Sequence, residues 1–212
     1  RAWEVIPIEN LIAWGGTLIV PVHSLEDLEL ALTVLEKGVA GVLIDADSPD
    51  RLKTMLQKTK ATSESVVLTV ATVEHNRAAG LGDRVCIDTC TLMHPGEGML
   101  VGNSSGFLFL VQAECTSNPY VAPRPFRVNA GPVHSYVKAP EGVTRYLSEL
   151  CAGDRALIVR SDGSTHEATV GRVKTERRPL LLIKAACGDR TGSIIVQNAE
   201  TIRLTTPEGK VL

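Results

Sequence analysis

No run of lysines or arginines occurs in the 212 residues, and the formal net charge is only −2. Proteins that grip nucleic acid usually carry a basic patch, so that class is set aside. No apolar stretch approaches the length that spans a bilayer, which argues against a membrane segment. A signal peptide is also missing; the chain opens on Arg1 rather than Met, so its start is expected to be a cut edge. The five cysteines are an odd number without a dense framework, which suits a reducing compartment such as the cytoplasm. There is no internal repeat and no low-complexity tract. No Ser-His-Asp motif stands out. Gly80-Leu-Gly82 and Gly96-Glu-Gly98 lack the strand-then-helix setting of a dinucleotide fingerprint. What is present is ordinary for a soluble globular protein: 44% hydrophobic and 22% charged residues, enough for one large domain or two small ones.

Read in order, the chain changes grammar near residue 74. Before it, Val5-Ile-Pro-Ile8 reads as extended, and Glu9 to Trp14 as a short helix closed by Gly15-Gly16. Leu18 to Val22 is a strand. Ser24 is an N-cap with Asp27 three positions on, and Leu25, Leu28, Leu32 and Leu35 recur at helical spacing up to Gly38. Gly41 to Ile44 is a second strand. Ser48-Pro49 opens a helix with Leu52, Met55 and Leu56 on one face. Val66 to Val70 is expected to be a third strand. Strands alternating with helices imply βαβ units and a parallel sheet. Residues 1–73 hold too few units to close a barrel or finish a doubly wound sheet, so they are expected to be the last part of a larger β/α domain.

Residues 74–212 read instead as short strands between turns, a mostly antiparallel β barrel or sandwich. Val85 and Ile87 point inward. Phe107 to Ala113 is nearly all apolar and should be buried on both faces, ending at Glu114. Asp162-Gly163, between Ala156–Val159 and Ala168–Val170, is the best short hairpin signal. Tyr146 to Leu150 reads as one helical turn.

The most polar-rich strand segment is Arg124 to Val137. A residue before proline favours extended geometry, so Arg124 should open a strand. Alternation then sets Phe126 and Val128 on one face and Arg127 and Asn129 on the other, with a turn or bulge at Gly131-Pro132. His134 and Tyr136 share a face beyond it. If both pieces belong to one sheet, guanidinium, amide, imidazole and phenol would line one concave surface, the kind of polar convergence a pocket needs. A sheet edge facing water is the bland alternative. Lys174 lies in Gly171-Arg-Val-Lys-Thr-Glu-Arg-Arg-Pro179, where Arg172, Lys174 and Glu176 share a strand face. Neighbouring cations favour the neutral amine that can form a Schiff base with a ketone. Cross-strand ion pairs on an exposed strand are the other reading. Cys86, Cys90 and His94 fit neither usual zinc spacing, and inert buried cysteines are favoured. A hard-metal site could draw on Glu114 and His134 with Glu149 or Asp88, for Mn or Mg.

Six ordered motifs carry a family resemblance: Gly82-Asp-Arg-Val-Cys-Ile-Asp-Thr-Cys90, Pro95-Gly-Glu-Gly-Met-Leu-Val-Gly102, Arg124-Pro-Phe-Arg-Val-Asn-Ala-Gly-Pro-Val-His134, Tyr146-Leu-Ser-Glu-Leu150, Gly171-Arg-Val-Lys174 with Glu176-Arg-Arg-Pro-Leu180, and Gln197-Asn-Ala-Glu-Thr-Ile-Arg203. Together with Trp3 to Ala13, they resemble the type II (archaeal-type) 3-dehydroquinate synthase family. The chain departs from it at Gln112-Ala113, where the family commonly has His-Ser.

The resemblance implies an amino sugar acid substrate, 2-amino-3,7-dideoxy-D-threo-hept-6-ulosonate. NAD would oxidise its amine-bearing carbon, and the methyl ketone would then close the ring to 3-dehydroquinate, for aromatic amino-acid biosynthesis. Against that chemistry, Arg127 and then Arg124 are the expected carboxylate binders, and Asn129 and Tyr136 orient hydroxyls. Lys174 is the Schiff-base candidate. Glu114 with His134 is the candidate for proton transfer or, through a divalent metal, enolate stabilisation. The alternatives are a metal-dependent 3-amino-4-hydroxybenzoate synthase-like cyclase, and an inactive fragment that binds or assembles. The expected partner is the small-molecule substrate, with no nucleic acid or membrane and with homo-oligomerisation left open.

Overall fold

The computed structural model describes residues 2–15, 17–34, 38–61, 65–117, 119 and 121–206. The chain divides into two compact units, residues 1–63 and 64–212.

The first unit has a helix α1 (Ala2–Ala13), a strand β1 (Ile19–Val22), a helix α2 (Leu25–Thr33), a strand β2 (Gly41–Ile44) and a helix α3 (Pro49–Ala61). The two strands pair in parallel, Ile19 opposite Gly41 through Val22 opposite Ile44. That is the βαβ unit read from the sequence. Ser24 caps α2 as expected, accepting a hydrogen bond from the Asp27 N–H at 3.0 Å. Val22, Leu28, Ala31 and Met55 form the core. Leu52 and Leu56, expected beside Met55, remain exposed. Gly16 and Leu35 lie outside the described residues. Residues 5–8 are helical rather than extended. A helix that runs through Pro7 gives up the hydrogen bond that the proline nitrogen cannot donate, and a proline ring inside a helix crowds the carbonyl four residues back.

The second unit is a nine-stranded sheet in which every pairing is antiparallel. Its strands are β3 (Thr72–Thr89), β4 (Glu97–Ser104), β5 (Phe107–Glu114), β6 (Arg124–Pro132), β7 (Tyr136–Lys138), β8 (Thr144–Tyr146), β9 (Arg155–Arg160), β10 (Thr165–Cys187) and β11 (Arg190–Gln197). Six of them close on themselves. β10 pairs with β3, β3 with β6, β6 with β5, β5 with β4, β4 with β9, and β9 with β10. The choice left open between barrel and sandwich is thus settled as a closed barrel. Closure removes the free edges along that circuit. Alternate residues face the interior: Val85 and Ile87, Met99 and Val101, Val111 and Ala113, Val128 and Ala130, Ala156 and Ile158, and Ala168 and Val170 join one buried cluster. On β5, burial on both faces holds from Leu110 onward. No helix among the described residues is long and apolar enough to cross a membrane.

Val66 to Val70 forms no strand. Ser65 makes one isolated bridge to Ser164, and Val66 donates to the Gly163 carbonyl at 2.7 Å. Val66 and Leu68 pack against Leu100, Leu110, Leu157 and Val159, while Val67 is 89% exposed and Val70 66%, so the segment lies on the barrel without joining a ladder. The hairpin that anchors Val66 is the one the Asp162-Gly163 pair signals. Gly163 has φ +85, and a Cβ there would stand 2.2 Å from the Val66 carbonyl oxygen. Gly163→Ala is therefore expected to cost about 1–3 kcal/mol, from the left-handed backbone and the displaced Val66 segment together. Urea titration measures the loss, and faster amide exchange at Val66 should accompany it.

Candidate active site

The site follows from strand register. Across β10, β3 and β6, Arg172 lies opposite Asp88, which lies opposite Arg127. Lys174 lies opposite Cys86, which lies opposite Asn129. Directly paired residues project on the same side of a sheet. Because Val85, Ile87 and Val128 face the barrel interior, this row of polar groups faces away from it. A register shift between Val85 and Cys86 realises the bulge expected near Gly131.

Asp88 is the hub of this face. Arg127 grips it with both prongs, Nε to Oδ1 at 2.6 Å and Nη2 to Oδ2 at 2.8 Å. Arg172 donates from Nε to Oδ2 at 2.8 Å. Burial by itself would raise the Asp88 carboxyl, but the hydrogen bonds from Arg127 and Arg172 outweigh it and hold the group below the usual carboxylate range. In return, Asp88 pushes the Arg127 guanidinium further up.

A second hub lies four residues along β10. Glu176 accepts from Arg84 at 2.7 Å, pairs with Lys174 at 3.1 Å and with Arg178 at 3.2 Å. Its carboxyl is held low, first by the Lys174 hydrogen bond. Arg84 also contacts the Cys86 thiol, and burial pushes that thiol up. Lys174 thus sits in an ion-pair network, as the second sequence reading expected, and its side chain is 47% exposed. Asn129 is buried; its Nδ2 donates to Gln197 at 2.9 Å, while its Oδ1 has no partner. Gln197 escaped the sequence reading, although it opens one of the quoted motifs.

The other expected residues do not converge here. Arg124 pairs with Glu114 at 3.3 Å at the start of β6. His134 is exposed in the turn beyond its end. Eight residue steps of extended strand separate Arg124 from Pro132, roughly 25 Å, so Glu114 and His134 do not form a joint proton-transfer or metal site. Glu149 accepts the Tyr146 N–H at 2.8 Å, capping the single turn Leu147–Glu149. Among the described residues, no group of three His, Cys, Asp or Glu side chains is arranged to hold a metal ion. Tyr136 stacks on Tyr146 on the β7–β8 hairpin, with 2.9 Å between the hydroxyls. β7 pairs with β4, not with β3 or β10. The single concave surface expected from residues 124–137 is thus split by the turn at His134. Nor does the polar face coincide with a cleft of about 200 Å³ lined by His94, Glu97, Arg160 and Asp162. Cys90, expected to be buried, is exposed.

A helix N-terminus with glycines and no competing anion is one ready seat for the phosphates of a dinucleotide. In the first unit, α2 opens with Glu26 and Asp27, and α3 with Asp50. These carboxylates repel phosphate, so the starts of α2 and α3 do not suit a pyrophosphate.

With that geometry in place, the comparisons decide the family. The 3-dehydroquinate synthase II N-terminal domain matches residues 1–59, and the C-terminal domain of the same family matches residues 68–212. The chain belongs to the 3-dehydroquinate synthase II family. Among its relatives, a protein of Methanospirillum hungatei named 3-dehydroquinate synthase is 54% identical over 210 residues, covering 99% of this chain and 64% of the relative. One of Methanocella arvoryzae with the same name is 54% identical over 211 residues, covering 98% and 56%. A third, from Archaeoglobus fulgidus, is 50% identical over 210 residues, covering 98% and 64%. The chain thus spans less than two thirds of the length of these relatives. No solved structure matches it. The boundary between the two matched family domains falls at 59–68, close to the division at 63 between the compact units.

Proposed function

We propose that this chain works as a 3-dehydroquinate synthase, converting 2-amino-3,7-dideoxy-D-threo-hept-6-ulosonate to 3-dehydroquinate, with NAD as hydride acceptor and ammonia released. The observation that carries the reading is identity of about one half, over nearly the whole chain, to relatives of that name. NAD would supply oxidation at the amine-bearing carbon. The barrel's contribution is the later ring closure.

In that closure Lys174 Nζ adds to the ketone carbon and water leaves, giving an iminium ion. The iminium makes the adjacent methyl protons acidic, and loss of one gives an enamine. The enamine carbon then bonds to the new carbonyl carbon of the same molecule, and water returns to release the lysine. Arg172 and Lys174 stand on one face where an acid with a ketone can meet both.

The test is direct. The chain and the Methanospirillum relative receive the amino sugar acid and NAD, and the absorbance of reduced nicotinamide is followed beside the formation of 3-dehydroquinate. Equal amounts of the two products from this chain support the reading. Turnover by the relative with neither product from this chain overturns it.

A further inference from the structure

We propose that Arg172 is the seat of the substrate carboxylate and that Asp88 is its positioning residue. This rests on the reading of the substrate given above, but it moves the carboxylate away from Arg127, where sequence reasoning placed it. Arg127 is only 7% exposed, and its fork is closed on both oxygens of Asp88. A fork already matched to one carboxylate has little left for a second. Arg172 engages Asp88 through the same two nitrogens but stands in solvent. Its side chain is 62% exposed, and it meets Asp88 through Nε and Nη2 on a single oxygen, Oδ2. Its Nη1 has no partner among the described residues.

The charge balance points the same way. Arg84, Arg127, Arg172, Lys174 and Arg178 share this face with the two carboxylates Asp88 and Glu176. Asp88 bears one charge between two guanidiniums, and Glu176 one among three cations. The excess is positive and lies toward solvent at Arg172 and Lys174. An anion is the ligand such a surface selects.

The spacing narrows the class of anion. Two residues apart on a strand, Arg172 and Lys174 have backbones about 6.6 Å apart. Their long side chains can converge on the carboxylate and the ketone of one heptulosonate, which come closer together as the chain folds to close the ring. Two strands beyond Lys174, across Cys86, Asn129 completes the polar row with a buried Oδ1 that has no partner. An exposed guanidinium and an exposed amine side by side describe a keto acid.

Calorimetry and turnover test this with the amino sugar acid and its C1 carboxamide, on the wild-type chain and on Arg172→Gln. Arg172 is exposed, so its replacement leaves the barrel core intact. The acid should bind about 10- to 100-fold more weakly to Arg172→Gln, the range for a charge-assisted hydrogen-bonded pair. Carboxamide binding should not change. Where turnover is measured, the loss falls in KM rather than kcat. Arg172→Lys should recover only part of the preference for the acid, because an ammonium cannot fork. Asp88→Glu, which keeps the charge but moves it by one methylene, should lower that preference while still binding the carboxamide. Equal affinity of wild type and Arg172→Gln for the acid overturns the assignment, as does failure of the wild type to bind it. Arg172-dependent binding without turnover would instead count against the proposed reaction and leave the seat standing.

Discussion

Asp88→Asn is expected to destabilise the barrel by about 3–5 kcal/mol, because it leaves the Arg127 cation buried without its counter-charge. The Arg127 and Asp88 side chains are 9% and 7% exposed, so solvent screens their interaction little. Urea unfolding at neutral pH measures the loss. The cost belongs to breaking the pair rather than to lacking one. A double replacement, Asp88→Leu with Arg127→Met, should therefore recover most of it, since apolar residues of similar size often match a buried ion pair. The pH dependence has a definite sign. The folded-state pKa of Asp88 lies below its unfolded value, which is about 4. Its contribution is thus fully present above pH 4 and is lost as pH falls through the lower folded pKa. Wild type should lose stability in that acid window through a component that Asp88→Asn does not show. An identical acid limb in both proteins would mean that Asp88 is not the group that titrates.

Strand parity made much of this face readable before any coordinates. The alternation of Val85 and Ile87 with Cys86 and Asp88 gives the inner and outer sides of β3. The same rule puts Arg172, Lys174 and Glu176 together on β10, and Arg127 with Asn129 on β6. Parity cannot say which strands are neighbours. Nothing local to Arg127 announces that Asp88, 39 residues earlier, will occupy its fork. Long-range register decides that, and register comes from closure of the whole barrel. The same limit explains His134 and Tyr136. They follow Asn129 closely in sequence, yet the chain turns after β6 and β7 pairs with β4. Val66 to Val70 fails for a different reason: a β-branched run forms a strand only when a neighbour completes the ladder, and here the segment gains one hydrogen bond to the hairpin and the packing of Val66 and Leu68, but no ladder.

Lys174→Ala is expected to reduce ring closure by roughly 10³-fold or more, about 4 kcal/mol of transition-state stabilisation. The size follows from the proposed role. Without the amine, the methyl ketone must lose its proton as a ketone, without the electron sink that the iminium provides. A structural role predicts a different outcome. Lys174 is half exposed, and Glu176 keeps Arg84 and Arg178 when the lysine is gone, so stability should change by less than about 1 kcal/mol. Activity and stability therefore separate the two roles in one variant. Borohydride provides the chemical readout: reduction in the presence of substrate should fix a carbon chain on Lys174, located by peptide mass. Lys174→Arg keeps the charge and the pairing with Glu176 but cannot form the Schiff base, so it should be as inactive as Lys174→Ala. Activity in Lys174→Arg within tenfold of wild type, or an adduct that survives in Lys174→Ala, would remove the lysine from the reaction while leaving the carboxylate seat at Arg172 to be judged on its own binding data.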